Sequence, residues 1–226
     1  MNEIFHEDCL EVMARGIQYD YAFLGPPEYD ELGWEPVKED HLYFGWLAKV
    51  LSSLNPRKNV ATIVISDRRH GGRVIPKHSK IIEMMMGMGW EYLSQKIWEK
   101  SPKVSLYRMN YSLVMSFGRG KFRSKNVKCF LNDVWPHHHK SIKLMGKCFS
   151  YNMPKEVVSK CLLNYTDKGD VVFDPFMGSG TTALACIDLG RNYLGSEIDK
   201  ETHSLCLRRL GKKAQKKGVE DAPCAL

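Results

Sequence analysis

The apolar residues of this chain follow two different spacings that alternate along its length. Short apolar or β-branched runs predict buried strands, whereas apolar residues spaced three and four apart predict helices. The predicted strands cover residues 19–24, 59–66, 90–98, 111–117, 171–173 and 193–196, and the predicted helices cover residues 39–54, 76–88, 153–165 and 181–189, with a last helix from about residue 200. This alternation predicts an α/β fold, with helices on both faces of a mostly parallel, twisted sheet. The strands at 90–98 and 111–117 are expected to form an antiparallel β-hairpin edge.

Composition and charge narrow the class of protein. The 226 residues suit one domain that spans residues 1–226. No apolar run has the length of a membrane span, and the N-terminal residues lack the basic start and apolar stretch of a signal peptide. The seven cysteines are scattered without a CxxC pair, so we expect a reducing, cytoplasmic or nucleoid-associated location. The formal net charge of +7 weakly favours a polyanionic partner.

The most informative segment is Phe173-Asp174-Pro175-Phe176-Met177-Gly178-Ser179-Gly180-Thr181-Thr182, where a predicted strand turns sharply into a helix. Glycines at 178 and 180 would let the backbone approach a ligand closely, and the helix start offers free N–H groups. The next predicted strand ends at Glu197, a position from which a carboxylate can accept hydrogen bonds from both ribose hydroxyls. Since the phosphate-loop lysine is missing, a nucleoside without a triphosphate fits better than a nucleotide. The alternative is an ordinary tight turn beside a solvated glutamate.

The segment 174–182 resembles the S-adenosylmethionine-binding motif of the N6-adenine and N4-cytosine DNA methyltransferases. Other features of that family follow in order: Glu7-Asp8-Cys9-Leu10-Glu11-Val12-Met13 near the start, a Pro-Pro turn after the next strand, Asn132-Asp133-Val134-Trp135 and Met153-Pro154, and Arg191 to Ile198. The Pro-Pro turn precedes the glycine turn, which is the order of the permuted β class. The resemblance therefore implies a Rossmann-like methyltransferase fold over nearly the whole chain.

The same resemblance implies a cofactor, a partner and a set of site residues. The cofactor would be S-adenosylmethionine and the partner DNA, with no membrane and with a homodimer left open. The methionine part of the cofactor would lie on the glycine turn and Glu197 would hold the ribose. Asp8 and the backbone of Cys9 would meet the adenine, although a helix cap is an equally good role for Asp8. The implied cofactor residues are Asp8, Cys9, Asp174, Phe176, Gly178, Gly180, Thr181 and Glu197.

The Pro-Pro turn reads Gly25-Pro26-Pro27-Glu28-Tyr29 and departs from the family pattern. An exocyclic base amine is a poor nucleophile, so acceptors must be held rigidly against its hydrogens, and two prolines fix the backbone for this purpose. The family has Asp, Asn or Ser before Pro-Pro and an aromatic residue after it. The candidate catalytic residues are Pro26, Pro27, Glu28 and Tyr29.

Three explanations of this departure stay open. Glu28 or Asp30 could supply the missing acceptor while Tyr29 or Trp34 stacks on the base. The protein could bind cofactor and nucleic acid without transferring methyl. The site could also have diverged to another target.

Two basic segments are candidate nucleic-acid contacts. Arg68, Arg69 and Arg73 lie in an expected flexible loop around His70-Gly71-Gly72, which Lys77 and Lys80 follow. Arg119, Lys121, Arg123 and Lys125 lie in a second loop, within a candidate target-recognition insertion near 119–145. Basic side chains in such loops would contact phosphates, although a solvated surface is the alternative. The run 137–139 of three histidines lacks partners for a tetrahedral metal site.

The sequence thus favours methyl transfer from S-adenosylmethionine to the exocyclic amine of a base in DNA. N6 of adenine is preferred to N4 of cytosine on the family pattern alone. The rival is a catalytically inactive protein of the same fold that binds cofactor and nucleic acid. RNA as the substrate is a third option.

Overall fold

A computed structural model describes residues 2–36, 38–101, 109–138, 142–144, 147–149 and 153–220, with only the backbone described for 142–144, 147–149 and 212–220. In chain order the elements are β1 (Asn2–Phe5), α1 (Cys9–Ala14), β2 (Tyr21–Leu24), a 3₁₀ helix (Tyr29–Leu32), α2 (Asp40–Ser52), β3 (Val60–Ile65), β4 (Arg68–His70), β5 (Arg73–Ile75), α3 (Lys77–Gly87), β6 (Glu91–Glu99), β7 (Tyr111–Gly118), α4 (Lys128–Leu131), β8 (Val134–Trp135), β9 (Ile142–Leu144), β10 (Lys147–Phe149), α5 (Lys155–Tyr165), β11 (Val171–Asp174), α6 (Thr181–Leu189), β12 (Asn192–Ser196) and α7 (Lys200–Glu220).

Eight strands form the main sheet in the order β1-β12-β11-β2-β3-β7-β6-β8. Strands β1, β12, β11, β2 and β3 are parallel, so their carboxyl ends meet at one edge of the sheet, here called the carboxyl edge. β7 is antiparallel to both β3 and β6. The predicted α/β fold, its mostly parallel sheet and its antiparallel edge pair are confirmed. The sequence patterns missed β1 and β8, since segments this short carry too few apolar positions to show a period.

Helices cover both faces of the sheet, as expected. On one face, α2 and α3 contribute Leu47, Val50, Leu51, Ile81 and Met85 to a buried cluster. On the other face, α5 and α6 contribute Val157, Cys161, Leu162 and Cys186 to a second cluster. Continuous apolar strands such as β2 and β3, buried along their whole length, are what a sheet covered on both sides requires.

The expected flexible loop after β3 is instead a short β-hairpin. β4 and β5 pair antiparallel, and Gly71 and Gly72 adopt φ values of +54° and +73° in the turn between them. Positive φ at both central residues is the geometry of a tight hairpin turn, which glycine adopts without steric cost. The hairpin leaves the sheet at the carboxyl edge and leads into α3.

Residues 119–135 of the expected insertion near 119–145 begin and end against the main sheet. Arg119 leaves the opposite, amino edge of the sheet, where its N–H donates to the carbonyl of Asn59 at 2.9 Å. The chain then returns to the main sheet, because β8 pairs in parallel with Ile97 and Trp98 of β6. Residues 139–141 and 145–146 of the expected insertion lie outside the described residues. Within the described part of the chain, no helix is long and apolar enough to cross a membrane.

The start of α6 sets a packing limit that can be tested. Gly180 has φ +83°, and a Cβ there would lie 2.6 Å from Sγ of Cys206 on α7. Gly180→Ala should therefore destabilise the fold by about 1–3 kcal/mol in urea denaturation, through overpacking and backbone strain. Adding Cys206→Ala should recover part of the loss. Gly211→Ala, where a Cβ meets nothing within 4 Å, is the control and should not destabilise. Equal stability of wild type and Gly180→Ala would contradict this packing.

Candidate active site

A cavity of about 1030 Å³ opens at the carboxyl edge of the sheet. Its lining begins at the end of β1 and the glycine turn after β11, crosses the Pro-Pro turn after β2, and continues to the ends of β3 and β6. Parallel α/β sheets bind ligands at this edge, where loops from neighbouring strands converge. All of the residues proposed from the sequence for the cofactor, apart from Gly180, line this cavity.

Asp174 organises the glycine turn from its buried position at the end of β11. One carboxylate oxygen accepts from the backbone N–H of Phe176 at 2.9 Å, and the other accepts from the hydroxyl of Thr182 at 2.5 Å. Burial raises the pKa of Asp174 to about 7, the nearby charge of Glu197 adds to the rise, and the two hydrogen bonds oppose it. The carboxyl group thus ties the strand end to the first turn of α6 and titrates near neutrality.

Gly178 and Gly180 of the turn meet different structural requirements for glycine. Gly178 has φ +53°, and the nearest heavy atom to an added Cβ is the carbonyl oxygen of Phe176 at 3.8 Å, so its free side faces the cavity. Gly180, by contrast, is required by the contact with Cys206. Space for a ligand is therefore present at Gly178, whereas Cys206 fills the corresponding space at Gly180, and ligand contact at this turn stays a prediction. Thr181 is buried and lines the cavity beside Gly178.

Glu197 joins the end of β12 to the glycine turn. Its carboxylate accepts from the N–H of Gly178 at 2.9 Å and from the N–H of Asp199 at 2.9 Å. Burial raises the pKa of this carboxyl group. Each oxygen still has a second lone pair, and the side chain lines the cavity, so the position expected for a diol acceptor is available.

Asp8 and Cys9 lie at the end of β1, next to β12. Asp8 caps α1 by accepting from the N–H of Leu10 at 2.7 Å, which is the helix-cap role considered from the sequence. Both residues also line the cavity. Burial, together with the charge of Asp8, raises the pKa of the Cys9 thiol to about 12, so the thiol is neutral at physiological pH.

The Pro-Pro turn lines the middle of the cavity through Gly25, Pro26, Pro27 and Glu28. The hydroxyl of Tyr43 donates to the carbonyl of Pro27 at 3.1 Å. Within the described parts of the chain, a Cβ at Gly25 would meet only Cε of Met153, at 3.5 Å. That is ordinary van der Waals contact, so a Cβ is tolerated at this position.

Tyr29 is not placed where a base could stack on it. Its side chain is fully buried, its ring stacks on Tyr43 at 4.3 Å, and its hydroxyl donates to Asp40. The expectation that Tyr29 stacks on the target base is therefore wrong in this structure. Glu28 does line the cavity, but its carboxylate forms an ion pair with the buried Lys77. Asp30 lies 3.6 Å from the guanidinium of Arg68.

The two basic segments lie at opposite edges of the sheet. Arg68 lines the cavity, and Arg69 and Arg73 are exposed on the β4–β5 hairpin. Lys77, which the sequence grouped with them, is wholly buried instead.

The second basic segment follows β7 at the amino edge, about 17 Å away across the six residues of β3. There, Arg119 packs over Trp90 and Lys125 forms an ion pair with Asp167, while Lys121 and Arg123 are exposed. This segment thus lies at the edge of the sheet opposite the cavity, and the contact of Arg119, Lys121, Arg123 and Lys125 with nucleic acid stays a prediction from the sequence.

The far end of the cavity holds polar residues that sequence reasoning missed. Lys100 donates to the hydroxyl of Ser66 at 2.7 Å, and Ser66 lies 2.7 Å from the hydroxyl of Ser112. Asp67 also lines this end. Ser66 is the last residue of a predicted strand and Asp67 follows it, as Glu197 follows another, so position alone could have found them. Among the described residues, no cluster of three His, Cys, Asp or Glu side chains could hold a metal ion.

Comparison with known proteins assigns the family. A family model for N6/N4 methyltransferases, described as DNA methylase, matches residues 20–208. The chain belongs to this DNA methylase family. The family resemblance predicted from the sequence is thereby confirmed.

Individual relatives extend this result. The type II methyltransferase M.MjaI of Methanocaldococcus jannaschii is 27% identical over 198 residues, which cover 71% of this chain and 64% of that protein. The DNA adenine methyltransferase YhdJ of Escherichia coli K12 is 24% identical over 243 residues, covering 92% of this chain and 82% of that one. The solved structure of TTHA0409 from Thermus thermophilus, complexed with S-adenosyl-L-methionine, superposes with a TM-score of 0.72 at 22% identity and covers 94% of both chains. At that identity the structural likeness bears on the fold alone.

The raised pKa of Asp174 predicts how stability changes with pH. Because the folded-state pKa of about 7 exceeds the ordinary value of 3.8, the folded protein holds a proton that the unfolded chain releases. Its contribution to stability is complete below about pH 4 and is lost as pH rises through 7. Urea denaturation should show wild type losing more stability than Asp174→Asn between pH 5 and 8. Thr182→Val, which removes a hydrogen bond to the carboxylate, should extend the decline to higher pH. Identical pH profiles for wild type and Asp174→Asn would rule out titration of Asp174.

Proposed function

We propose that this protein transfers a methyl group from S-adenosylmethionine to the exocyclic amine of a base in DNA, with N6 of adenine ahead of N4 of cytosine. The observation that carries the proposal is the shared cavity of the glycine turn and the Pro-Pro turn. The first turn follows β11 and the second follows β2, and these strands are paired neighbours in the sheet. A cofactor on one turn and a base on the other would therefore lie side by side. The chain order of the two turns favours the permuted β class.

The residues around the glycine turn suit a nucleoside with an amino-acid tail. Glu197 and Asp8 place two carboxylates at the ends of adjacent strands, β12 and β1, and Gly178 leaves the cavity open between Glu197 and Phe176. Glu197 would accept from the ribose hydroxyls, Asp8 and Cys9 would meet the adenine, and the turn from Asp174 to Thr181 would hold the methionine part. When bound, the cofactor supplies an electrophilic sulfonium methyl group.

The residues of the Pro-Pro turn suit an amine that must be drawn into a fixed position. Proline fixes φ, so the carbonyl groups of Gly25 and Pro26 are held rigidly beside the cavity. A carbonyl that accepts an amine hydrogen increases electron density on the nitrogen as the methyl group transfers. The target base must leave the helical stack to reach this depth. This chain then relies on backbone carbonyls, because Gly25 has no side chain.

The departure at Gly25 keeps a second candidate function open. A protein that binds S-adenosylmethionine and DNA without methyl transfer would retain the glycine turn and lose the acceptor at position 25. The burial of Tyr29 also favours this rival, since the expected stacking ring is absent from the cavity lining. A Cβ at Gly25 would make only an ordinary contact with Met153, which supports a test by restoring a side chain there.

The β4–β5 hairpin is the proposed contact with DNA. It begins at Arg68, which lines the cavity, and it exposes Arg69, His70 and Arg73 on two short strands. Basic side chains on a narrow two-stranded ribbon can follow a DNA groove and contact phosphates on either side of it. A duplex held there would present its flipped base to the adjoining cavity.

Cofactor binding should depend on the open space at Gly178. Calorimetry should detect binding of S-adenosylmethionine to wild type, and Gly178→Asn should weaken it at least tenfold. Asparagine tolerates positive φ, so the variant tests the lost space and not the backbone conformation. Gly190→Asn is the matched control, since Gly190 has φ +69° and lies at the far end of α6. Unaltered affinity in Gly178→Asn would place the cofactor elsewhere.

Product analysis decides between the enzyme and its rival. Wild type is incubated with S-adenosylmethionine and mixed-sequence DNA or RNA, and the digested nucleosides are identified by mass spectrometry. We expect methylated adenine in DNA, and methylated cytosine would revise the base alone. Gly25→Asp, which restores a family acceptor where space is available, should raise turnover. Binding of cofactor and DNA without any methylated nucleoside would establish the rival.

The salt dependence of DNA affinity should map the contact surface. Removing a basic side chain that binds a phosphate should reduce the slope of log affinity against log salt by about one. The double variant Arg69→Ala, Arg73→Ala should therefore lower the slope, whereas Lys121→Ala, Arg123→Ala, with the same charge change at the opposite edge, should not. The reverse pattern would move the DNA to the amino edge.

A further inference from the structure

The residue after the Pro-Pro turn is tied to a buried lysine. The carboxylate of Glu28 forms an ion pair and hydrogen bond with Nζ of Lys77, in the first turn of α3. The Lys77 side chain is 0% exposed, whereas that of Glu28 is 28% exposed. The ammonium group is therefore on the protein side of the turn and not in the open cavity.

The surroundings of Lys77 make Glu28 indispensable to it. Nζ lies 5.4 Å from the ring centroid of Tyr29 and 5.6 Å from that of Tyr43, so two aromatic faces enclose the charge. Within the described residues, Glu28 is the one carboxylate in ion-pair range of Lys77. A buried ammonium is strongly disfavoured unless it is paired and hydrogen-bonded. Because Lys77 is held at the start of α3, its ion pair also holds the Glu28 carboxylate beside the cavity.

A second contact holds the same turn. Tyr43, on α2, is fully buried and donates to the carbonyl of Pro27 at 3.1 Å. The Pro27 carbonyl and the Glu28 carboxylate are thus both engaged by the protein. Among the described residues, neither the carbonyl of Gly25 nor that of Pro26 accepts a backbone hydrogen bond, so both remain for a ligand. The carbonyl of Pro26 is the one next in sequence to the two groups that the protein engages.

We propose that Lys77 is a positioning residue, which acts through Glu28 and together with the Tyr43 contact to hold the Pro26 carbonyl as the acceptor of the base amine. The inference rests on the proposed function. It also assigns Glu28 a different role from a direct acceptor: its carboxylate neutralises Lys77 and sets the turn. Because Gly25 supplies no side chain, the position of one carbonyl matters more here than in a site with two acceptors. Displacement of a reacting group by about 1 Å can cost on the order of 10²-fold in rate.

Four variants separate positioning from direct contact. Lys77→Met leaves the Glu28 carboxylate unpaired, and Glu28→Leu leaves the Lys77 ammonium unpaired. The double variant removes both charges and keeps apolar volume. Lys58→Met, which breaks the ion pairs with Asp167 and Asp170 at the amino edge, controls for destabilisation by loss of a paired lysine. For each we would measure kcat, the KM for S-adenosylmethionine, and hydrogen exchange of the peptide that covers residues 24–34.

We expect each single variant at the turn to lower kcat by about 10²-fold, with the KM for the cofactor within twofold of wild type. Exchange of the 24–34 peptide should accelerate in both. The double variant should recover at least tenfold in kcat over Glu28→Leu alone, and Lys58→Met should stay within twofold of wild type. Recovery is the decisive result, because a direct acceptor cannot be replaced by leucine.

Two results would overturn the proposal. The first is a double variant no faster than Glu28→Leu alone, with Lys77→Met at the wild-type rate, which would make Glu28 a direct acceptor. The second is unchanged exchange of the 24–34 peptide in Lys77→Met. If wild type transfers no methyl group at all, the proposed function fails by product analysis, and the exchange measurement still decides whether Lys77 holds the turn.

Discussion

The parallel pairing of β2 with β11 is the constraint on which the rest of the site depends. These strands are far apart in sequence, yet Val172 and Phe173 pair with Tyr21 and Ala22 in register. Two turns therefore lie side by side at the carboxyl ends of these strands. The turn after β11 contains glycines and a buried carboxyl group, and the turn after β2 is made rigid by two prolines. The contacts of Asp174, Glu197, Tyr43 and Lys77 each stabilise one of these turns. Without the strand pairing, the two turns would not line one cavity.

The two turns are held by different physical means. The glycine turn is closed by hydrogen bonds to carboxylates, from Phe176 and Thr182 to Asp174 and from Gly178 to Glu197. The Pro-Pro turn is held from behind by a hydrogen bond from Tyr43 to the Pro27 carbonyl and by the ion pair of Glu28 with Lys77. The first arrangement responds to pH, because burial raises the pKa values of both of its carboxyl groups. The second depends on a close fit among side chains of α2 and α3.

The sequence predicted those features that depend on short contiguous segments, and it missed those that depend on contacts between distant residues. The glycine turn, the Pro-Pro turn and the edge pair of β6 and β7 are short contiguous patterns, and the structure places them as expected. The sequence could not indicate that Tyr29 turns inward, since that depends on the room beside Tyr43 and on Asp40 from a different helix. Lys77 gave no signal either, because a lysine among exposed basic residues is ordinarily solvated. The sequence could not place the loop at 119–125 relative to the cavity, because charge alone does not say at which edge of a sheet a strand ends.

The β4–β5 hairpin has a consequence for how such a protein can change. Only Ile75 of this hairpin is buried, and the exposed residues from Arg69 to Val74 contribute nothing to the two core clusters. Apart from Gly71 and Gly72, whose positive φ the turn requires, substitutions along those residues should cost the fold little, since surface changes away from packing contacts are usually small in effect. The exposed strand residues of the hairpin can therefore vary in sequence while the two turns below it stay fixed. The exposed hairpin and the two turns that line the cavity are therefore structurally independent, and selection can change the hairpin residues without changing the turns.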